Sequence, residues 1–273
     1  MGGDVDRLVA ELPLVDHRAD QLLRVRMEGE GTGELALDDS NLVIRAAHAL
    51  AGYAGVLPHA RLHLRKQIPL AGGLAGGSAD AAAALVACDA LWGTGLSRDE
   101  LAGIAADLGS DVPFLIYGGT ALGTGRGEAV SPVLARATSW HWVVAIADAG
   151  LSTPAAYREL DRLRDSGAAG APLGSTDALL GALRQRDPRV LARTLGNDLQ
   201  DAALAMRPAL ADTLKAGEAA GALAGLVSGS GPTCVFLATD AANAERIAAE
   251  LTSAGVCREA RVAHGPVVGA RVG

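Results

Sequence analysis

The stretch Pro69-Leu70-Ala71-Gly72-Gly73-Leu74-Ala75-Gly76-Gly77-Ser78-Ala79-Asp80 constrains this chain more than any other, because it runs unbroken into the alanine-rich Ala81 to Leu85. Glycine at 72, 73, 76 and 77 frees the backbone to curl and clears side chains from the concave side of the turn. Ser78 is a good N-cap and alanine has the highest helix propensity of any residue, so a helix over 79–92 is expected to follow. A glycine loop that feeds a helix start gathers unpaired N–H groups and the positive end of the helix dipole at one point, the arrangement with which backbone binds phosphate. A flexible turn before a buried helix is the plainer reading. The run of glycines, the capping serine and the lack of any proline or charge from Ala71 to Ala79 favour the anion cradle.

The common phosphate fingerprints are missing. No G-x-x-x-x-G-K-[ST] occurs, and residues 123–128, G-T-G-R-G-E, miss G-x-G-x-x-G because Glu128 holds the last position. At 273 residues, 49% hydrophobic and 20% charged, the chain has room for one large domain or two medium ones with substantial cores. A net charge of −7 and the lack of a basic stripe argue against nucleic acid as a partner. Any lysine chemistry has two candidates, Lys66 and Lys215, against 22 arginines. Cys88, Cys234 and Cys257 lie far apart and are odd in number, so no zinc or disulfide framework is expected, only buried thiols in a reducing cytosol. The start, M-G-G-D-V-D-R, lacks the regions of a signal peptide, and the longest uncharged run, 219–239, is broken by glycines, two serines and a proline. A cytoplasmic protein with no membrane partner is expected.

Periodicity outlines the elements. Leu22 to Met27 alternates weakly as a strand, and Asn41 is placed to cap a helix over 42–53 that ends before Gly55. Arg61 to Arg65, R-L-H-L-R, is a period-2 strand. A helix is expected near 98–107, and the apolar run Phe114 to Leu122 reads as strands with a bend at Gly118-Gly119. Beyond about residue 138 the pattern changes, dividing the chain into domains 1–138 and 139–273. A buried strand over 142–147 precedes a helix with Thr153 at its cap and Pro154 at its first position. After a mobile linker over 166–174 come helices near 176–185, 188–195 and 208–220. Strands at 223–228 and 233–238, a helix from Asp240 to Ala254 and a strand over 258–263 complete a β-α-(helices)-β-β-α-β order, the split βαβ arrangement.

Two further constellations carry chemistry. In Gly109-Ser110-Asp111-Val112-Pro113-Phe114, Pro113 is expected to push Val112 towards an extended conformation. Asp111 then stands on a rigid turn, where its carboxylate can act as a base or metal partner, although it also reads as an ordinary turn aspartate. In Val227-Ser228-Gly229-Ser230-Gly231-Pro232-Thr233, a loop of small residues between strands lets a phosphate or another backbone approach closely; a plain hairpin loop is the alternative.

The glycine loop fits P-x-x-x-G-L-x-G-x-S-[SA], Asp111 follows it at the family's spacing, and the Gly229 loop matches the family's C-terminal glycine motif, so the chain resembles the GHMP kinases. Asn41-Leu42-Val43, Lys66-Gln67-Ile68-Pro69 and Gly119 to Glu128 extend the resemblance, especially to members that act on a cytidine-diphosphate methylerythritol in non-mevalonate isoprenoid synthesis. The resemblance implies a two-domain α+β fold, an N-terminal mixed α/β domain with a C-terminal ferredoxin-like split βαβ domain. It implies ATP and Mg²⁺, with the γ-phosphate passing to the 2-hydroxyl of that small-molecule substrate in a monomer or homodimer. Gly72, Gly73, Gly76, Gly77 and Ser78 would cradle the phosphates, with Ser78 near the metal, and Asn41 and Lys66 would lie by the nucleotide base. Asp111 would take or orient the acceptor's proton. Thr153 and Tyr157 match a T-P-x-x-[aromatic] segment that places Tyr157 on the cytosine, and Gly229, Ser230 and Gly231 would complete the substrate side.

The chain departs from the family at its start. The strand P-[AG]-K-[IV]-N-L and the motif R-x-D-G-Y-H, with their lysine, asparagine and Tyr-His pair, have no match in residues 1–11. Leu14-Val15-Asp16 resembles only the family's next stretch, and His17 does not take the missing histidine's role. Truncation upstream of Met1 is the expectation. Another GHMP small-molecule kinase, a nucleotide-binding homologue impaired in transfer and a purely structural module are the other readings.

Overall fold

The computed structural model describes residues 7–11, 23–133 and 138–273, which fall into two compact units. The first comprises the described residues up to Leu70, with Ala75–Val133 and Val267–Gly273; the second comprises Ala71–Leu74 and the described part of Leu134–Pro266. Leu14-Val15-Asp16, His17 and Leu22 lie outside the described residues. Among the described residues no helix is long and apolar enough to cross a membrane.

The first unit runs β1 (Arg7–Glu11), β2 (Leu23–Gly29), α1 (Leu42–Ala54), β3 (Ala60–Lys66), α2 (Gly76–Trp92), α3 (Arg98–Leu108), α4 (Val112–Tyr117), β4 (Ala121–Thr124) and β5 (Ala129–Pro132). β3 is central, antiparallel to β1 and parallel to β2. Its alternation is strict: Ala60, Leu62, Leu64 and Lys66 are buried, while Arg61 and Arg65 are exposed. Val43, Ala47 and Leu50 of α1 and Ala81, Leu85 and Cys88 of α2 pack in one cluster with Leu62 and Leu64. The alanines keep the helices close to each other and to the sheet, because a small side chain sets a short interaxial distance.

Three local expectations need correction here. α2 begins at Gly76, not near 79, and Ala75 occupies its cap in a left-handed conformation without a side-chain bond; Ser78 lies inside the first turn. The glycines, with no Cβ, let the helix start earlier against Ile68 and Leu42. Phe114 to Leu122 is not a pair of strands: residues 112–117 form α4 and only 121–124 are extended as β4. Val112 is therefore helical, since Pro113 sits in the first turn, where a missing N–H costs nothing.

The second unit runs β6 (Trp140–Ile146), α5 (Thr153–Asp165), α6 (Asp177–Leu183), α7 (Pro188–Ala192), α8 (Gln200–Met206), α9 (Ala209–Ala219), β7 (Ala224–Val227), β8 (Cys234–Ala238), α10 (Ala241–Ala254) and β9 (Glu259–Gly265). Its sheet order is β7-β8-β6-β9, with every pair antiparallel, as the split βαβ pattern requires. Val143, Leu210, Phe236, Ile247 and Leu251 centre its core. Ser152, not Thr153, is the residue before α5. Burial pushes the Cys88 and Cys234 thiols up to about 12, whereas Cys257 is only half-buried, unlike the buried thiol expected.

Candidate active site

β3 delivers Lys66 to the foot of α2. The strand's parity turns this lysine inward with Leu62 and Leu64, leaving it 2% exposed. Asp80, in the first turns of α2 and 3% exposed, meets it there, with Nζ 2.7 Å from Oδ2. A Cβ on Gly76 would stand 2.8 Å from Ile68 Cγ2 and 3.2 Å from Lys66 Nζ, so only glycine fits above the pair. The first three N–H groups of a helix have no intrahelical acceptor; here they belong to Gly76, Gly77 and Ser78, and no side chain caps them. Their donors and the helix dipole suit this end of α2 to an anion.

Asn41 is beside it in the same unit, since Leu42 Cδ1 lies 3.4 Å from where a Gly77 Cβ would be. Both ends of its amide are engaged: Oδ1 accepts from Val43 N at 2.9 Å and Nδ2 donates to Ala36 O at 2.8 Å. Asp111 precedes α4 with its side chain exposed and not spent on capping that helix. Its neighbours Val112 and Pro113 are buried, which fixes the backbone that carries the carboxylate.

In the second unit the segment Ala71–Leu74 meets the loop between β7 and β8. Ser228 Oγ donates to Gly73 O at 2.8 Å. Gly73 has φ +71, and a Cβ there would come within 2.4 Å of Ser228 O and 3.0 Å of Gly231 O. Thr153 and Ser230 share a hydroxyl hydrogen bond of 2.8 Å, which ties the start of α5 to the same loop. One turn along α5, Tyr157 is 55% exposed, so its ring is available to stack. Gly72 is buried beside Gly73.

The structure thus brings Lys66, Gly76, Gly77 and Ser78 together at one helix start, and Gly73, Thr153, Gly229, Ser230 and Gly231 together around one loop. Two residues escaped the sequence reading. Asp80 had a signal: a lysine at the fourth alternate position of an apolar strand face needs a buried carboxylate partner. Asn197, which donates to Val227 O and Gly229 O, had none, because its partners lie thirty and thirty-two residues away.

Comparison with known proteins shows the family and the fold. The family model described as GHMP kinases N terminal domain matches residues 41–119, and that described as GHMP kinases C terminal matches residues 179–257. The chain is 83% identical over 256 residues to the 4-diphosphocytidyl-2-C-methyl-D-erythritol kinase of Salinispora arenicola, covering 94% of this chain and 81% of that relative. It is 58% identical to the enzyme of the same name from Nocardia farcinica, over 92% of this chain and 81% of the relative. A crystal structure of 4-(cytidine 5'-diphospho)-2C-methyl-D-erythritol kinase superposes with a TM-score of 0.73 at 30% identity, covering 95% of this chain and 85% of the other. Homoserine kinase from Cytophaga hutchinsonii shares the fold, with a TM-score of 0.76 at 19% identity over 97% of this chain and 87% of its own.

Proposed function

The chain belongs to the GHMP kinases, and on that premise we propose that it transfers the γ-phosphoryl group of ATP to the 2-hydroxyl of 4-diphosphocytidyl-2-C-methyl-D-erythritol, a step of non-mevalonate isoprenoid precursor synthesis. The observation that carries the reading is the uncapped start of α2, glycine-lined and ending the loop that matches the family signature. Likeness to relatives bearing that enzyme's name supports the choice of acceptor.

Phosphoryl transfer asks little covalent chemistry of a protein; positioning and charge stabilisation do the work. The N–H groups of Gly76, Gly77 and Ser78 hold the phosphate oxygens of ATP, and Gly72 and Gly73 shape the loop leading to them. Asn41 and Lys66 border the nucleotide from the ends of α1 and β3, Lys66 acting through Asp80, to which its ammonium is bound. Among the described residues no group of three His, Cys, Asp or Glu side chains is placed to hold a metal. Mg²⁺ would be held by the ATP phosphates with the Ser78 hydroxyl as a protein contact, in keeping with the few protein ligands this ion usually takes. There it would neutralise charge on the phosphates.

Tyr157 stacks on the cytosine, with Thr153 and the Gly229-Ser230-Gly231 loop holding the acceptor. The acceptor's 2-hydroxyl oxygen forms a bond to the γ-phosphorus as the bond to the bridging oxygen breaks, and ADP departs. The hydroxyl proton passes to the Asp111 carboxylate and from there to water. The chain works on this small-molecule substrate in the cytoplasm, as a monomer or homodimer. A coupled assay of ADP release with the cytidine acceptor tests the reading. Asp111→Asn should lower kcat by about a hundredfold or more with the ATP Kd retained; unchanged turnover would remove Asp111 from the reaction.

A further inference from the structure

We infer that Asn197 is a positioning residue for the nucleotide: it holds backbone 227–229 in the one shape from which Ser228 grips the glycine loop. The inference rests on the proposed binding of ATP by that loop. Its parts all belong to the second unit.

Asn197 has both ends of its amide engaged, and both its donors serve this task. Nδ2 donates to Val227 O at 2.7 Å and to Gly229 O at 2.8 Å, while Oδ1 accepts from Leu199 N at 3.0 Å. Only a primary amide offers two N–H donors on one nitrogen and an acceptor beside it. Farther along the chain, Gln200 Oε1 accepts from Val227 N at 3.0 Å, so both backbone groups of Val227 are held from the head of α8. Gly229 turns at φ +53 immediately after Ser228. Ser228, fixed on both sides, directs its hydroxyl to Gly73 O at 2.8 Å.

That last contact sets a peptide plane. In a trans peptide the carbonyl and the following N–H point in opposite directions, so fixing Gly73 O towards Ser228 turns the Leu74 N–H away from it. Gly73 has little other freedom, since the Cα hydrogen in the position of a side chain already faces the backbone of Ser228 and Gly231. A loop of glycines has many conformations to lose on binding a phosphate chain, and prior fixing by Asn197 and Ser228 reduces that loss. Asn197 touches neither substrate; it acts through the loop.

The test is calorimetric titration of the full chain with Mg·ATP. Asn197→Asp keeps the shape but replaces both donors with a carboxylate facing two carbonyl oxygens. It should weaken ATP binding by about tenfold or more, and Ser228→Ala should weaken it to a similar degree. The double variant should be within about twofold of Asn197→Asp alone, because both changes break one chain of contacts. Should Asn197→Asp fail to fold, Asn197→Ser carries the same expectation. An ATP Kd within about twofold of the parent in the folded variant, with only Tm lowered, would overturn the inference, as would effects that multiply in the double variant. A parent chain that does not bind ATP would instead overturn the functional reading on which the inference rests.

Discussion

Lys66 shows how one residue's position decides its role. A lysine at the end of a strand reads as solvated, yet its parity with Ala60, Leu62 and Leu64 turns it into the core. The cost of taking an ammonium out of water is offset by Asp80, and a buried pair of this kind adds little net stability over an apolar substitute. What it secures is geometry: the end of β3 is fastened to the first turns of α2, directly below the N–H groups of Gly76 to Ser78. Asp80→Ala, which takes this carboxylate away from a buried ammonium, should cost about 3–5 kcal/mol in urea unfolding. The double change Lys66→Met with Asp80→Leu should restore most of that. A urea midpoint for Asp80→Ala equal to the parent's would contradict the pairing.

At the scale of elements, α4 matters because it carries Asp111 at its head. Six residues make a weak helix, and this one is clasped by its neighbour: Arg98 Nη1 donates to Ile116 O at 3.0 Å and Tyr117 O at 3.2 Å, and Tyr117 donates its hydroxyl to Asp99 at 2.7 Å. The hydrogen bond to Asp99 raises the Tyr117 pKa, so this contact is intact throughout the neutral range. Arg98→Ala removes two bonds to carbonyls that a helix end otherwise leaves open. It should cost about 1–2 kcal/mol by urea denaturation and lower kcat more than it changes the Kd for ATP. An unchanged kcat would mean that α4 needs no support from α3. The same helix explains where sequence reading failed. An apolar run of this length fits strand and helix alike, and the deciding contacts come from Arg98 and Asp99, outside the run.

Across the whole molecule, the parts legible in sequence were those whose signal is local and periodic. R-L-H-L-R gave its strand, Asn41 and Gly55 bracketed α1, and the order of elements after Trp140 matched the β7-β8-β6-β9 sheet. α8 escaped because seven residues with two buried alanines carry too little pattern. The helix following the glycine loop was legible, but the loop's division was not: Ala71–Leu74 pack with the second unit and Ala75 onward with the first. Nothing in the spacing of glycines announces which unit each will join, since that is settled by contacts such as Ser228 with Gly73 and Lys66 with Asp80. The central claim is that backbone amides from Gly72 to Ser78 hold the phosphates of ATP. Hydrogen exchange of those amides, with and without a non-hydrolysable ATP analogue, measures it most directly. Slowed exchange at Gly76, Gly77 and Ser78 is the expected result. Exchange unchanged there, with protection by the analogue confined to other segments, would contradict it.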